Sequence, residues 1–162
     1  MGVFTGTVPT YAAGDEVKAS NMQTETSIET ALTAAWTDWV PTLTNLTLGN
    51  GTQVAKYRQL GKTVDFIWQL TLGSSSAVGT TPSFTLPVAA SSDYSTYPPW
   101  FGMLNDASSS VKPPAVLNLS STTTVIIQYF SSLNTVANLS STVPFTWTTS
   151  DVLSAQATYY TA

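Results

Sequence analysis

The sequence contains no cysteine and no histidine. Without thiols there is neither a disulfide framework nor a thiolate nucleophile, and without imidazole there is no Ser-His-Asp triad and no common zinc site. These absences remove the usual residue sets of hydrolases and metalloenzymes. We therefore expect a protein that is not an enzyme, with no cofactor and no metal site.

Basic residues are also scarce, with five Lys and Arg against nine Asp and Glu. So few cations cannot neutralise a row of phosphates, and we expect no binding to nucleic acid. Charged residues make up only 9% of the chain, which indicates that much of its surface is covered by other chains. The excess of acidic over basic residues lies in residues 1–40. This segment carries a single base, Lys18, and the acids Asp15, Glu16, Glu25, Glu29 and Asp38.

Long apolar runs are missing as well. No stretch approaches the roughly 18 apolar residues of a membrane span, and no basic segment followed by an apolar run marks a signal peptide. The sequence thus predicts no membrane partner and folding in the cytoplasm of the cell that makes the chain.

Gly61-Lys62-Thr63 matches the end of a nucleotide-binding P-loop, but the rest of that motif is absent. A P-loop needs a glycine at position 56, where this chain has Lys, and a helix after the motif. Residues 63–72 instead alternate apolar and polar side chains, which is typical of a half-buried strand. Gly61 is therefore predicted to form the tight turn of a hairpin between strands 52–59 and 63–72.

Residues 1–40 differ in pattern from the remainder. Residues 1–14 mix apolar residues with Gly and Pro and read as an extended arm, whereas residues 20–37 carry an apolar stripe at helical spacing, ended before Pro41. The helix either packs on its own domain or joins two other copies around an axis. In the second case the trimer interface comprises Ile28, Ala31, Leu32 and Ala35.

Residues 41–162 are predicted to form one antiparallel β-sandwich head domain, jelly-roll-like in type. Short apolar segments are separated by Gly, Pro and Ser turns, and Val64, Phe66, Trp68 and Leu70 should point into the core. The strands are expected at 42–48, 52–59, 63–72, 83–86, 100–105, 114–119, 122–130, 143–148 and 152–160.

Four strings along the chain resemble, in the same order, small virion proteins of tailed bacteriophages, especially those of actinobacterial phages labelled minor tail, fibre or decoration proteins. They are AAGDEVKASNMQTE (12–25), WTDWVPTLTNLTLGNGTQVAKYRQLGKTVDF (36–66), FTLPVAAS (84–91) and VPFTWTTSDVLSAQATYYTA (143–162). The resemblance implies a homotrimer on the virion surface, with N-terminal segments gripping the particle and β-domains facing outward. Its partners would be further copies of the chain and phage capsid or tail proteins.

Two functions remain open on this basis. One is a capsid decoration or short head fibre, attached through an arm whose contact residues would be Val3, Phe4, Val8, Pro9 and Tyr11. The other is a tail-fibre or minor tail protein that binds a host surface glycan, for which Tyr94, Tyr97 and Trp100 are the candidate contacts. In the alternative interpretation of that segment, Trp100 and Phe101 begin a strand and enter the core or a subunit interface.

The four acids of the β-domain raise the alternative of a glycosidase pair. Such an enzyme needs two carboxylates a few ångströms apart across a sugar. Asp65, Asp93, Asp106 and Asp151 are widely spaced in the sequence, which favours turn and solvation roles.

Overall fold

The computed structural model describes residues 35–94, 100–109 and 111–162. This part of the chain is all-β, with ten strands and no helix. The strands are β1 (Thr37–Asp38), β2 (Leu43–Thr47), β3 (Thr52–Leu60), β4 (Thr63–Thr71), β5 (Ala77–Thr85), β6 (Trp100–Asn105), β7 (Pro114–Ser121), β8 (Thr124–Ser132), β9 (Thr135–Asn138) and β10 (Val152–Tyr160).

All strand pairs are antiparallel and belong to one sheet in the order β1-β3-β4-β10-β6-β7-β8-β5-β2, with β9 paired to β8. The antiparallel β class is thus confirmed, but the strands form one curled sheet, a half-barrel, instead of two separate sheets. The reason is β10, which pairs with β4 on one side and with β6 on the other and so joins the two halves.

The core lies inside the curl. Val64, Phe66, Trp68 and Leu70 are all at most 1% exposed, which confirms the predicted inward side of β4. The Trp68 ring stacks on Phe84 of β5 at 4.6 Å between ring centroids, although β4 and β5 are not neighbours in the sheet. This contact is possible because the sheet curls until its two halves face each other.

Trp39 connects the two ends of the sheet. Its backbone N–H donates to Ala55 of β3 at 3.1 Å, and its indole Nε1–H donates to the Thr85 carbonyl of β5 at 3.3 Å. Its ring also meets Tyr57 and Phe66 edge to face. Residues after Trp39 then lead into β2 at the opposite end.

The hairpin prediction at Gly61 is confirmed. Leu60 pairs with Thr63, so Gly61 and Lys62 form a two-residue loop, and Gly61 has a φ of 58°. A positive φ at the first loop position suits the tight turns that join twisted strands, and glycine reaches it without steric cost.

The predicted strand at 143–148 is wrong. Residues 143–148 contribute one isolated bridge, Ser140 with Val143, because Pro144 has no N–H for a strand ladder. Conversely, β9 was missed, since its four residues are mostly exposed and carry little alternation. β5 also begins six residues before the predicted strand at 83.

The predicted helix 20–37 does not extend to its predicted end. Ala35 and Trp36 are exposed and not helical, and Thr37–Asp38 pairs with β3 as β1. The chain is drawn into the sheet there because the edge of β3 offers free backbone groups. The rest of the helix and the arm lie outside the described residues, as do the predicted contacts Val3, Phe4, Val8, Pro9, Tyr11, Ile28, Ala31 and Leu32.

Candidate functional site

The strands place two features on the surface, a flat apolar area and a small depression. The first is the outer-face patch, which we define as Val54 of β3, Ile67 of β4 and Phe101 and Met103 of β6. These side chains point away from the core and are 37–54% exposed. They border a shallow hollow of about 570 Å³ whose polar lining includes Gln69, Ser154 and Gln156.

Strand register brings the outer-face patch together. Ile67 pairs with Gln156 and Gln156 with Phe101, so one row crosses β4, β10 and β6. The strands β6 and β10 approach closely at Gly102, where an added Cβ would overlap the Ser154 carbonyl oxygen. Residues from three sequence regions therefore share one face.

A polar row borders this patch. Arg58 Nε donates to Asp65 at 2.8 Å, the Thr158 hydroxyl donates to the other oxygen of Asp65 at 2.6 Å, and the Arg58 guanidinium lies 5.3 Å from the centroid of the Trp36 ring. The hydrogen bond from Thr158, together with Arg58, lowers the pKa of Asp65. Arg58, Asp65 and Thr158 thus form a hydrogen-bonded network that contains one ion pair, and the Trp36 ring packs against the Arg58 guanidinium.

The second feature is the tyrosine pocket, a depression of about 420 Å³ lined by Lys62, Ser91, Asp93, Tyr94, Tyr160 and the two residues that follow Tyr160. The rings of Tyr94 and Tyr160 are nearly parallel, at 13° and 6.4 Å between centroids. Tyr160 is 60% exposed and Tyr94 is half-buried. Lys62 lies in the two-residue loop between β3 and β4, within the string Gly61-Lys62-Thr63.

Reciprocal hydrogen bonds hold the tyrosine pocket in shape. Ser91 N–H donates to the Tyr160 carbonyl at 2.7 Å, and Tyr160 N–H donates to the Tyr94 hydroxyl oxygen at 3.0 Å. The Ser91 hydroxyl donates to Asp93 Oδ2 at 2.9 Å. These hydrogen bonds therefore link the pocket residues Ser91, Asp93, Tyr94 and Tyr160 to one another.

The predicted glycan contacts occupy different environments. Tyr94 lies in the tyrosine pocket, Trp100 is only 4% exposed with its ring edge-on to Tyr94 at 5.6 Å, and Tyr97 lies outside the described residues. Trp100 therefore begins β6 and enters the core, as the alternative interpretation of this segment expects, and it packs against Tyr94 from the inner side. Phe101, by contrast, stays on the surface at 54% exposed.

Sequence reasoning missed Tyr160, Asp93 and Lys62 as partners of Tyr94. The available signal was the pair Tyr159-Tyr160 at the end of a strand, where alternation sends one ring into the core and the other to the surface. Tyr159 is fully buried, and its hydroxyl donates to the Val88 carbonyl at 2.7 Å. Burial raises its pKa above the ordinary value.

Two of the four domain acids cap loops. Asp151 is fully buried and accepts from the N–H groups of Ala107 at 2.9 Å and Thr148 at 2.6 Å. Asp106 accepts from the backbone and hydroxyl groups of Ser108 and Ser109, which lower its pKa. Both carboxylates therefore already accept hydrogen bonds from backbone and hydroxyl groups of the protein.

Across residues 35–94, 100–109 and 111–162, no three acidic side chains converge in a way that could hold a metal ion. The same ranges contain no helix with the length and apolar character needed to cross a bilayer.

The strings that carry the phage resemblance occupy scaffold positions. Trp39 joins the sheet ends, Gly61 makes the hairpin turn, Phe145 and Trp147 pack together at 4.4 Å, and Asp151 caps two loops. Comparison with family models, curated proteins and solved structures finds nothing that matches this chain.

Proposed function

We propose that this chain is a structural protein of a tailed-bacteriophage virion, a homotrimeric surface appendage attached through its N-terminal segment. It would serve as a capsid decoration or short head fibre, with no enzymatic role. The observation that carries the proposal is the outer-face patch, because contiguous exposed apolar side chains on a folded module mark contact with another protein.

The charge distribution supports the same assignment. Residues 41–162 have no net charge, so little electrostatic repulsion opposes the packing of copies against one another. About half of each apolar side chain in the outer-face patch is still exposed, so covering one contributes roughly 1 kcal/mol. We therefore assign the outer-face patch to the contact between neighbouring copies.

The N-terminal segment supplies attachment in this proposal. The arm residues Val3, Phe4, Val8, Pro9 and Tyr11 would be buried against a particle protein. The acids Asp15, Glu16, Glu25 and Glu29 would orient that contact by meeting basic groups. Ile28, Ala31 and Leu32 would bring the three copies together ahead of the β-domains. The protein would be made in the cytoplasm of the bacterial host and end on the virion surface.

Removing the arm tests attachment. A variant that lacks residues 1–14 should still assemble as a trimer but fail to bind particles prepared without the protein. Full-length protein serves as the binding control. Equal binding by the truncated variant would move the attachment site to the β-domain and contradict the proposal.

The alternative is a tail-fibre or minor tail protein that contacts a host receptor. The tyrosine pocket supports this receptor-binding function, because exposed aromatic faces suit the recognition of sugars. The two assignments differ in position and in copy number, because decoration needs hundreds of chains per virion whereas a tail receptor binder needs a few trimers.

A further inference from the structure

We propose that the tyrosine pocket is a binding site for a neutral saccharide, with one pyranose ring held against Tyr160 and Tyr94. The site uses Tyr160, Lys62 and Asp93 in addition to Tyr94, and it does not include Trp100. The proposal concerns the purified chain and is independent of where on a virion the chain resides.

The aromatic faces supply the first part of the argument. Tyr160 projects outward from the end of β10 with 60% of its surface exposed, and the nearly parallel ring of Tyr94 lies 6.4 Å away. A pyranose has apolar C–H faces that pack on flat aromatic rings, whose faces carry negative partial charge. The depression of about 420 Å³ has room for about one sugar residue in contact with these rings.

The polar groups supply the second part. Lys62 offers an ammonium donor and Asp93 a carboxylate acceptor, both exposed at the pocket. Among the described residues, Lys62 makes no ion pair, and Asp93 receives hydrogen bonds only at Oδ2. Sugar hydroxyls both donate and accept, so they can satisfy this donor and acceptor at once.

The balance of charge restricts the ligand class. A phosphate, sulfate or uronate group would be attracted by Lys62 but repelled by Asp93, and a cationic ligand would meet the reverse situation. An uncharged ligand with several hydroxyl groups avoids both penalties. This favours a neutral hexose or deoxyhexose over an anionic polysaccharide.

The pocket is formed before any ligand arrives. Two hydrogen bonds join the Ser91–Tyr94 segment to Tyr160, and Trp100 packs against Tyr94 from the core. The Tyr94 ring, held through its hydroxyl and against Trp100, therefore loses little conformational entropy on binding, which helps a small contact area to yield measurable affinity.

Saturation-transfer NMR on the full-length protein with a panel of neutral monosaccharides tests the inference. We expect transfer to the C–H face of at least one sugar, and affinity reduced roughly tenfold or more in Tyr160→Ala. Phe130→Ala is the control, because Phe130 is an exposed aromatic residue of β8 that lies outside both the tyrosine pocket and the outer-face patch. It should bind the sugar as the parent chain does.

Asp93→Asn should weaken binding by a smaller factor, since the amide keeps an acceptor and loses only the charge. Circular dichroism spectra that match the parent would show that each variant is folded. Two results would overturn the inference: no transfer to any sugar at millimolar concentration, or equal binding by Tyr160→Ala. Neither of these results would bear on virion attachment, which depends on residues 1–40.

Discussion

Asp151 shows how a single buried carboxylate can organise this module. It joins the loop at Ala107 to the turn at Thr148 through its two oxygens, while its carbonyl accepts from Leu72 N–H at 2.8 Å. Three separate chain segments therefore meet at one residue. A charged acceptor is suited to this role because it satisfies backbone donors strongly.

Replacing this carboxylate should destabilise the fold. Asp151→Ala leaves the N–H groups of Ala107 and Thr148 without their acceptor, and we expect the free energy of unfolding to fall by about 2 kcal/mol. The control is Asp38→Ala, which removes an exposed ion pair with Lys56 and should cost less than about 0.5 kcal/mol. Urea unfolding measures both, and equal effects would contradict the capping role.

Stability should also depend on acidic pH through Asp65 and Asp106. Hydrogen bonds hold the pKa of each below its usual value, so each stabilises the fold above the unfolded pKa of about 3.9 and loses this contribution as pH falls through the lower folded value. We expect the free energy of unfolding to begin to fall below about pH 5 and to keep falling until the pH has passed the folded pKa values of both groups. Asp65→Asn combined with Asp106→Asn should flatten this drop, and an unchanged slope would be evidence against it.

At the level of elements, prediction from the sequence worked where one strand face is buried. β4 alternates strictly because its inner side chains enter the core while the outer ones meet solvent. The same pattern at Val143, Phe145 and Trp147 predicted a strand that does not form. The rings of Phe145 and Trp147 pack against the core, but the backbone there makes only the isolated bridge between Val143 and Ser140. Alternating apolar residues indicate which side chains are buried, but a strand forms only where the backbone also finds hydrogen-bonding partners.

The candidate site was predictable only in part. Tyr94 was named because it stands in an aromatic segment, but Lys62, Asp93 and Tyr160 come from three distant positions. Only the pairing of β4 with β10 and the contacts of the Ser91–Tyr94 segment bring them together. No local pattern in the sequence encodes that arrangement.

The contact between β6 and β10 requires glycine at position 102. Gly102→Ala places a methyl group on the Ser154 carbonyl oxygen, and we expect a loss of about 1–3 kcal/mol in the free energy of unfolding. Gly61→Asn is the control, because a Cβ added at position 61 meets no atom from elsewhere in the described chain within 4 Å and asparagine tolerates the positive φ. Thermal or urea unfolding should separate the two variants, and equal stability would refute the close approach.

The whole molecule is divided by charge and by surface character. The β-domain is neutral overall, closed by the Trp39 bridge, and apolar over part of its outer face, whereas residues 1–40 carry a net charge of −4. A neutral module with an acidic extension fits an assembly in which the module packs with its copies and the extension selects a basic partner surface.

A charge placed in the outer-face patch should disrupt assembly. We expect Met103→Lys to shift the full-length protein from a trimer of 17.2 kDa chains toward monomers, because an ammonium buried at the contact would lack a partner. Leu133→Lys is the matched control, since Leu133 is 97% exposed and lies outside the patch. Light scattering coupled to size exclusion reports the mass. A trimer that Met103→Lys leaves intact would assign the patch to another partner.

The central claim is that the chain is part of a virion surface, and labelling purified virions with an antibody against the β-domain tests it most directly. Electron microscopy of the labelled particles, combined with quantification of the chain in the same preparation, gives its position and copy number. We expect label over the head, with a copy number divisible by three and in the hundreds. Label confined to the tail with a few trimers would select the receptor-binding alternative, and virions that lack the chain would contradict the claim.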